Sequence, residues 1–186
     1  MKNIILFATG GGSNVSAILN YFKDRKDVSF PLIVTNKSRA GVIDIAQEFN
    51  IDVMLVDKLV FTSPVFIDSL DVYKPDLIVL AGFLWKIPDF LVQAFPRKII
   101  NIHPALLPKY GGKGMFGHFV HEAVVNNKET ETGITIHMVN ENYDEGTILL
   151  QKKIPVSEFE DAKEVAKNVL ALEHIWYSQV IDNLLT

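Results

Sequence analysis

Cysteine is missing from all 186 residues, so disulfides, thiolate nucleophiles and thiolate metal centres are excluded by composition. That usage suits a reducing compartment. Long apolar runs are missing as well: Ile4 to Ala8, before the first glycines, is too short for a signal-peptide core or a membrane span, and nothing else approaches one. A cytoplasmic protein with no membrane partner is expected. Excess positive charge is absent, since 18 Lys and Arg stand against 22 Asp and Glu for a formal charge of -4, which argues against a nucleic-acid backbone as the main partner. Internal repeats, low-complexity tracts and linkers are also lacking. What is present is 48% hydrophobic and 22% charged residues, the balance of an ordinary globular chain, with a length that suits one domain over 1–186.

Short apolar runs alternate with amphipathic segments. Asn3 to Ala8, Phe30 to Val34, Val53 to Val56, Asp76 to Ala81 and Ile99 to Ile102 are rich in Val, Ile and Leu and apolar on both faces, as central parallel strands are. Between them, Ser13 to Phe22, Arg39 to Phe49, Val65 to Tyr73 and Asp89 to Phe95 have helical spacing. The alternation predicts right-handed βαβ units, hence an α/β fold with an open, mostly parallel sheet and helices on both faces. After Pro108 a glycine-rich stretch, Tyr110 to Gly117, leads to a helix around Phe119 to Asn126. Thr132 to Val139 and Thr147 to Val156 then read as an antiparallel hairpin, with Thr135 and His137 on one face of its first strand. A last helix, Asp161 to Leu185, shows an apolar stripe at Val165, Val169, Leu172, Trp176 and Val180.

Two places carry chemistry. Strand side chains alternate, so Asn101 and His103 should share a face, and Pro104 should end the pairing, leaving an amide and an imidazole at the carboxyl end of a strand. Open α/β sheets bind their ligands there. The second place is Thr9-Gly10-Gly11-Gly12-Ser13-Asn14, where glycines permit close backbone approach and the following helix offers unpaired amides to a phosphate. Ser13 or Asn14 reads equally well as a helix cap. A dinucleotide or triphosphate fits less well: Val15 stands at the third glycine of G-x-G-x-x-G, no acid follows the second strand, and no G-K-[ST] follows the glycines. A phosphate monoester on a small molecule is the expected guest.

Asp144 lies in the turn Asn142 to Gly146, where an acid is ordinarily structural. Folded back beside His103, it would hold the imidazole and raise its pKa, giving a cation near neutrality. Glu173 and His174 fall in the last helix beside Leu172 and Trp176, and a buried Glu173 would need a cationic partner.

In order along the chain, Gly12-Ser13-Asn14, Ala81-Gly82-Phe83-Leu84, Asn101 to Tyr110, Gly133-Ile134-Thr135-Ile136-His137 and Asp144-Glu145-Gly146 resemble the folate-dependent formyltransferases over nearly the whole length. The similarity is greatest to the members of purine biosynthesis that formylate glycinamide ribonucleotide. It implies a Rossmann-like formyltransferase fold, 10-formyltetrahydrofolate as co-substrate, no metal, and an amine attacking the formyl group through a tetrahedral oxyanion.

The resemblance assigns Asn101 to oxyanion stabilisation, His103 to proton donation and Asp144 to raising the His103 pKa, with a proton relay through water. It assigns Gly12, Ser13 and Asn14 to the substrate phosphate, and Leu170, Ala171, Leu172 and Glu173 to the glycinamide and its amine. Leu84, Trp85, Lys86 and Ile87, with Asn140, Glu141, Asn142 and Tyr143, match the loops around the folate, which Asn101 and Asp144 also touch. Two departures stand out. Leu84-Trp85-Lys86 replaces a common Met-Arg pair, and Gly111 to Phe119 is longer and richer in glycine, a candidate lid. Lys109 and Lys113 read as solvated. Formylation of initiator tRNA and hydrolytic release of formate are the disfavoured alternatives, because the chain is short for the extra domains those enzymes carry and is acidic. A catalytically silent phosphate-binding module is the alternative outside enzymology. Monomer and homodimer are left open.

Overall fold

The computed structural model describes all of residues 1–186. Its strands are β1 (Lys2–Phe7), β2 (Val28–Thr35), β3 (Asp52–Leu55), β4 (Leu77–Leu80), β5 (Ile99–His103), β6 (Glu131–Met138) and β7 (Ile148–Pro155). Its helices are α1 (Ser13–Phe22), α2 (Val42–Glu48), α3 (Lys58–Phe61), α4 (Val65–Asp71), α5 (Asp89–Ala94), α6 (His118–Asn126) and α7 (Ala162–Leu185). The strands form a mixed sheet in the order β3-β2-β1-β4-β5-β6-β7. β1 pairs in parallel with β2 and β4, β2 with β3, and β6 and β7 pair antiparallel. This is the expected architecture: an open, mostly parallel sheet flanked by helices and ending in an antiparallel hairpin. No helix is long and apolar enough to cross a membrane.

The chain resolves into two compact units, residues 1–100 with 185–186, and residues 101–184. In the first, Ile4 to Phe7 of β1 and Ile78 and Val79 of β4 are fully buried, because the middle strands of a parallel sheet are covered on both faces. Each such side chain contributes roughly 1.5–3 kcal/mol relative to exposure. β3 departs from expectation. It lies at the sheet edge with Leu55 56% exposed, so its apolar run is not buried on both faces. Helix α3 was not expected; four residues are too few for a periodicity, although Asp57 supplies its cap by accepting from the Val60 amide at 2.8 Å. Helix α2 begins at Val42 rather than Arg39, since the Ala40 amide closes a turn on the Lys37 carbonyl instead.

In the second unit, Gly133 lets the hairpin close, since a β-carbon there would strike the backbone of Lys152 and Lys153. Along α7 the buried residues are Val165, Val169, Glu173, Tyr177 and Ile181, spaced i, i+4, together with Ser178 and the expected Val180. The expected stripe through Leu172 and Trp176 is therefore displaced by one residue in the middle of the helix. Both are half-buried, and Trp176 instead carries the Lys152 ammonium 3.8 Å from its ring centre.

Candidate active site

In the second unit the end of β5, the loop after it and the β6–β7 loop build one polar cluster. Ile100 and Ile102 are buried in the sheet, Asn101 is half-buried and His103 is 4% exposed. Pairing ends at His103, as the missing amide hydrogen of Pro104 requires. Asp144 Oδ2 lies 3.7 Å from His103 Nδ1, and Oδ1 lies 3.6 Å from His137 Nε2. The Gly112 amide donates to Oδ2 at 2.9 Å. Asp144 is left-handed at φ 54, a conformation that Asp and Asn tolerate better than most side chains. Gly111 leaves room for it, since a β-carbon there would come within 3.3 Å of Asp144 Cβ and 2.6 Å of Leu107 Cδ2.

The hydrogen bonds assign the tautomers. A carbonyl only accepts, so the 2.7 Å contact between His103 Nε2 and the Tyr110 carbonyl places a proton on Nε2. Nδ1, facing Asp144, is then the nitrogen that gains or loses a proton. His137 Nδ1 donates to the Met138 carbonyl at 2.8 Å, so in the neutral ring its Nε2 accepts from Asn101 Nδ2 at 3.2 Å. This orients the Asn101 amide and leaves its second N–H for a ligand.

Burial is the largest influence on His103 and lowers its pKa below the ordinary imidazole value; Asp144 and the Tyr110 carbonyl push it up without overcoming that. The expected cation near neutrality is thus corrected to a neutral imidazole at rest. Burial pushes the Asp144 carboxyl up, but His137, His103 and the Gly112 amide together hold it below the usual carboxylate value. His121 of α6 is buried near His103; desolvation and then the His103 charge lower its pKa, and its Nδ1 has no hydrogen-bond partner.

His137 and Thr135 belong to this cluster although neither was singled out as a site residue. Thr135 Oγ1 donates to the Ala105 carbonyl at 2.7 Å and accepts from the Leu107 amide at 3.0 Å, fixing the chain just after His103. Their signal was the shared strand face. Lys109 is not merely solvated: its ammonium lies 3.0 Å from both Glu129 oxygens. Asn140 is half-buried, with Oδ1 accepting from the Asn142 amide at 3.1 Å, and Glu141, Asn142 and Tyr143 are exposed. Leu170 and Ala171 are exposed on α7, while Glu173 is buried one turn before Tyr177, whose phenol pKa is raised by burial and by the Glu173 charge.

The first unit holds the other predicted segments. Gly12, left-handed at φ 79, is the N-cap of α1, so neither Ser13 nor Asn14 caps it. Both lie in the first turn, whose amides have no acceptors within the helix. A β-carbon at Gly12 would sit 2.8 Å from Val42 and Ile45, whereas Gly10 and Gly11 face open space. Gly12 is therefore needed for packing as well as conformation, and the exposed glycines form the approachable surface. Residues 84–87 are pinned by the Leu84 amide on Thr9 Oγ1 at 3.1 Å. Leu84 is exposed, Ile87 is buried, and Lys86 pairs with Asp89 at 3.1 Å. Trp85 packs on Phe61 and Phe83, with the Lys58 ammonium 4.6 Å from its ring centre.

The family model described as formyl transferase matches residues 2–181. The chain is similar to a chloroplastic phosphoribosylglycinamide formyltransferase of Arabidopsis thaliana, at 41% identity over 97% of this chain, and spans 64% of that protein's length, less than two thirds. It is similar to the phosphoribosylglycinamide formyltransferase of Bacillus subtilis (strain 168), at 37% identity over 100% of this chain and 95% of that one. A crystal structure of the Bacillus halodurans phosphoribosylglycinamide formyltransferase superposes with a TM-score of 0.90 at 28% identity, covering 100% of this chain and 96% of that one. A match that runs from β1 into α7, with a bacterial relative aligned along nearly its whole length, makes this chain a member of the formyl transferase family.

Proposed function

We propose that this protein, acting as one domain over 1–186, transfers the formyl group of 10-formyltetrahydrofolate to the amine of glycinamide ribonucleotide, giving formylglycinamide ribonucleotide and tetrahydrofolate in the cytoplasm. The observation that carries this reading is the cluster of the second unit: an amide held by His137 with one N–H to spare, beside an imidazole whose free nitrogen faces a half-buried carboxylate. The bound folate supplies a formyl carbon as electrophile. Toward it, Asn101 presents its spare N–H to the carbonyl oxygen, where negative charge develops during attack. His103 gains and releases a proton at Nδ1, and Asp144 stabilises the imidazolium while it exists. The exposed side chains of Leu84 and, separately, Tyr143 suit the apolar body of a folate. Glu173 and residues 170–172 are assigned to the glycinamide, and Gly12 to Asn14 to its phosphate.

Purified protein given 10-formyltetrahydrofolate is expected to formylate glycinamide ribonucleotide, with little formate released when the acceptor is absent and no transfer to charged initiator tRNA. Rapid acceptor-independent formate release would identify a hydrolase, transfer to tRNA a different acceptor, and binding without turnover a silent module.

The glycine loop has its own test. Gly12→Val would disturb packing against α2, so Gly11→Ala is the sharper variant, adding one methyl to open space where the phosphate approaches. Calorimetry should show acceptor affinity reduced about tenfold, roughly 1.4 kcal/mol, with folate affinity and thermal stability unchanged. Equal weakening of both ligands, or of neither, removes phosphate binding from this loop.

A further inference from the structure

We propose that Glu129 is a positioning residue for His103, acting through Tyr110 to hold the Tyr110 carbonyl on His103 Nε2. Tyr110 is left-handed at φ 57, an unfavourable conformation for a bulky aromatic residue that persists only when its surroundings enforce it. That conformation delivers its carbonyl to His103. The side chain explains the persistence. Its hydroxyl donates to Glu129 Oε1 at 2.9 Å and accepts from Asn127 Nδ2 at 2.9 Å, while the neighbouring Lys109 binds the same carboxylate.

Glu129 is itself placed by backbone. At the end of α6 the Glu129 amide donates to the Val124 carbonyl at 3.1 Å and the Lys128 amide to the Val125 carbonyl at 2.9 Å, with Lys128 left-handed at φ 52. These are the paired bonds of a Schellman cap, which fixes where the next residue points. The helix end thus sets Glu129, Glu129 and Asn127 set Tyr110, and Tyr110 chooses which His103 nitrogen is left to face Asp144. Loss of the carboxylate frees Tyr110 to leave the left-handed region, and its carbonyl turns away from the ring.

This role deepens the formyl-transfer reading and rests on it for its catalytic meaning, but the first readout needs no substrate. Nitrogen-15 NMR of the imidazole, at a pH where His103 is neutral, should show mostly the Nε2–H tautomer in the wild type. In Glu129→Ala the tautomer ratio should fall about fivefold, the weight of one ordinary hydrogen bond. Tyr110→Phe, which removes only the hydroxyl, should shift the ratio the same way. Glu129→Gln, which keeps an acceptor for that hydroxyl, should restore most of the wild-type ratio. In formyl transfer, Glu129→Ala should lower kcat while leaving KM for both substrates within about twofold of wild type, since no ligand contact is removed. An unchanged ratio in both Glu129→Ala and Tyr110→Phe, with the wild type active, overturns the positioning role alone. A shifted ratio in an enzyme that transfers no formyl group upholds the positioning role and overturns the proposed reaction.

Discussion

Asp144→Asn is expected to lower turnover by roughly a hundredfold or more while the protein stays folded and both ligands still bind, the scale of losing a group that tunes an acid-base catalyst. The variant is a clean deletion of charge. Asn accepts the left-handed conformation at φ 54 and keeps an oxygen for the Gly112 amide. What disappears is the only carboxylate that raises the His103 pKa against its burial. Removing an upward influence moves the pKa further down. The limb of the pH–kcat profile that belongs to His103 should therefore shift to lower pH, whichever protonation state is the active one. Near-normal turnover, or a limb that stays in place, would falsify the coupling of Asp144 to His103.

The parts of this site that were legible in the sequence are those fixed by local covalent constraint. Pro104 ends β5, so Asn101 and His103 had to emerge together, and the glycines after β1 mark the turn into α1. The parts that were not legible depend on burial and on contacts across the fold. Desolvation of His103 outweighs its carboxylate, a balance no spacing encodes, so the expected cation is a neutral ring. His137 and Thr135 were visible as one strand face, but not as the groups that orient Asn101 and the chain after His103. Tyr110 and Asp144 adopt positive φ without being glycine, which a turn preference alone would not assign to those positions. The same reasoning explains the misplaced stripe of α7: Glu173 and Tyr177 are polar by type, yet the helix buries them and leaves Leu172 and Trp176 half-exposed.

Asn101→Ala is expected to be as damaging as Asp144→Asn, for a different reason. The amide already spends one N–H on His137, whose Nε2 accepts in the neutral ring while its Nδ1 donates to Met138. The remaining N–H is held in a fixed direction before any substrate arrives, so it costs no reorganisation when charge develops on the carbonyl oxygen. Its loss should cut kcat by roughly a hundredfold or more and leave binding of both substrates within a few-fold, because the interaction strengthens as the charge forms. Asn101→Asp separates this from a packing effect. The shape is retained, but a carboxylate offers no donor and adds negative charge beside both the developing oxyanion and Asp144. Asn101→Asp should therefore be at least as slow as Asn101→Ala. If Asn101→Asp instead turned over faster than Asn101→Ala, the side chain would be acting as a spacer and the oxyanion donor would have to be sought elsewhere in the cluster.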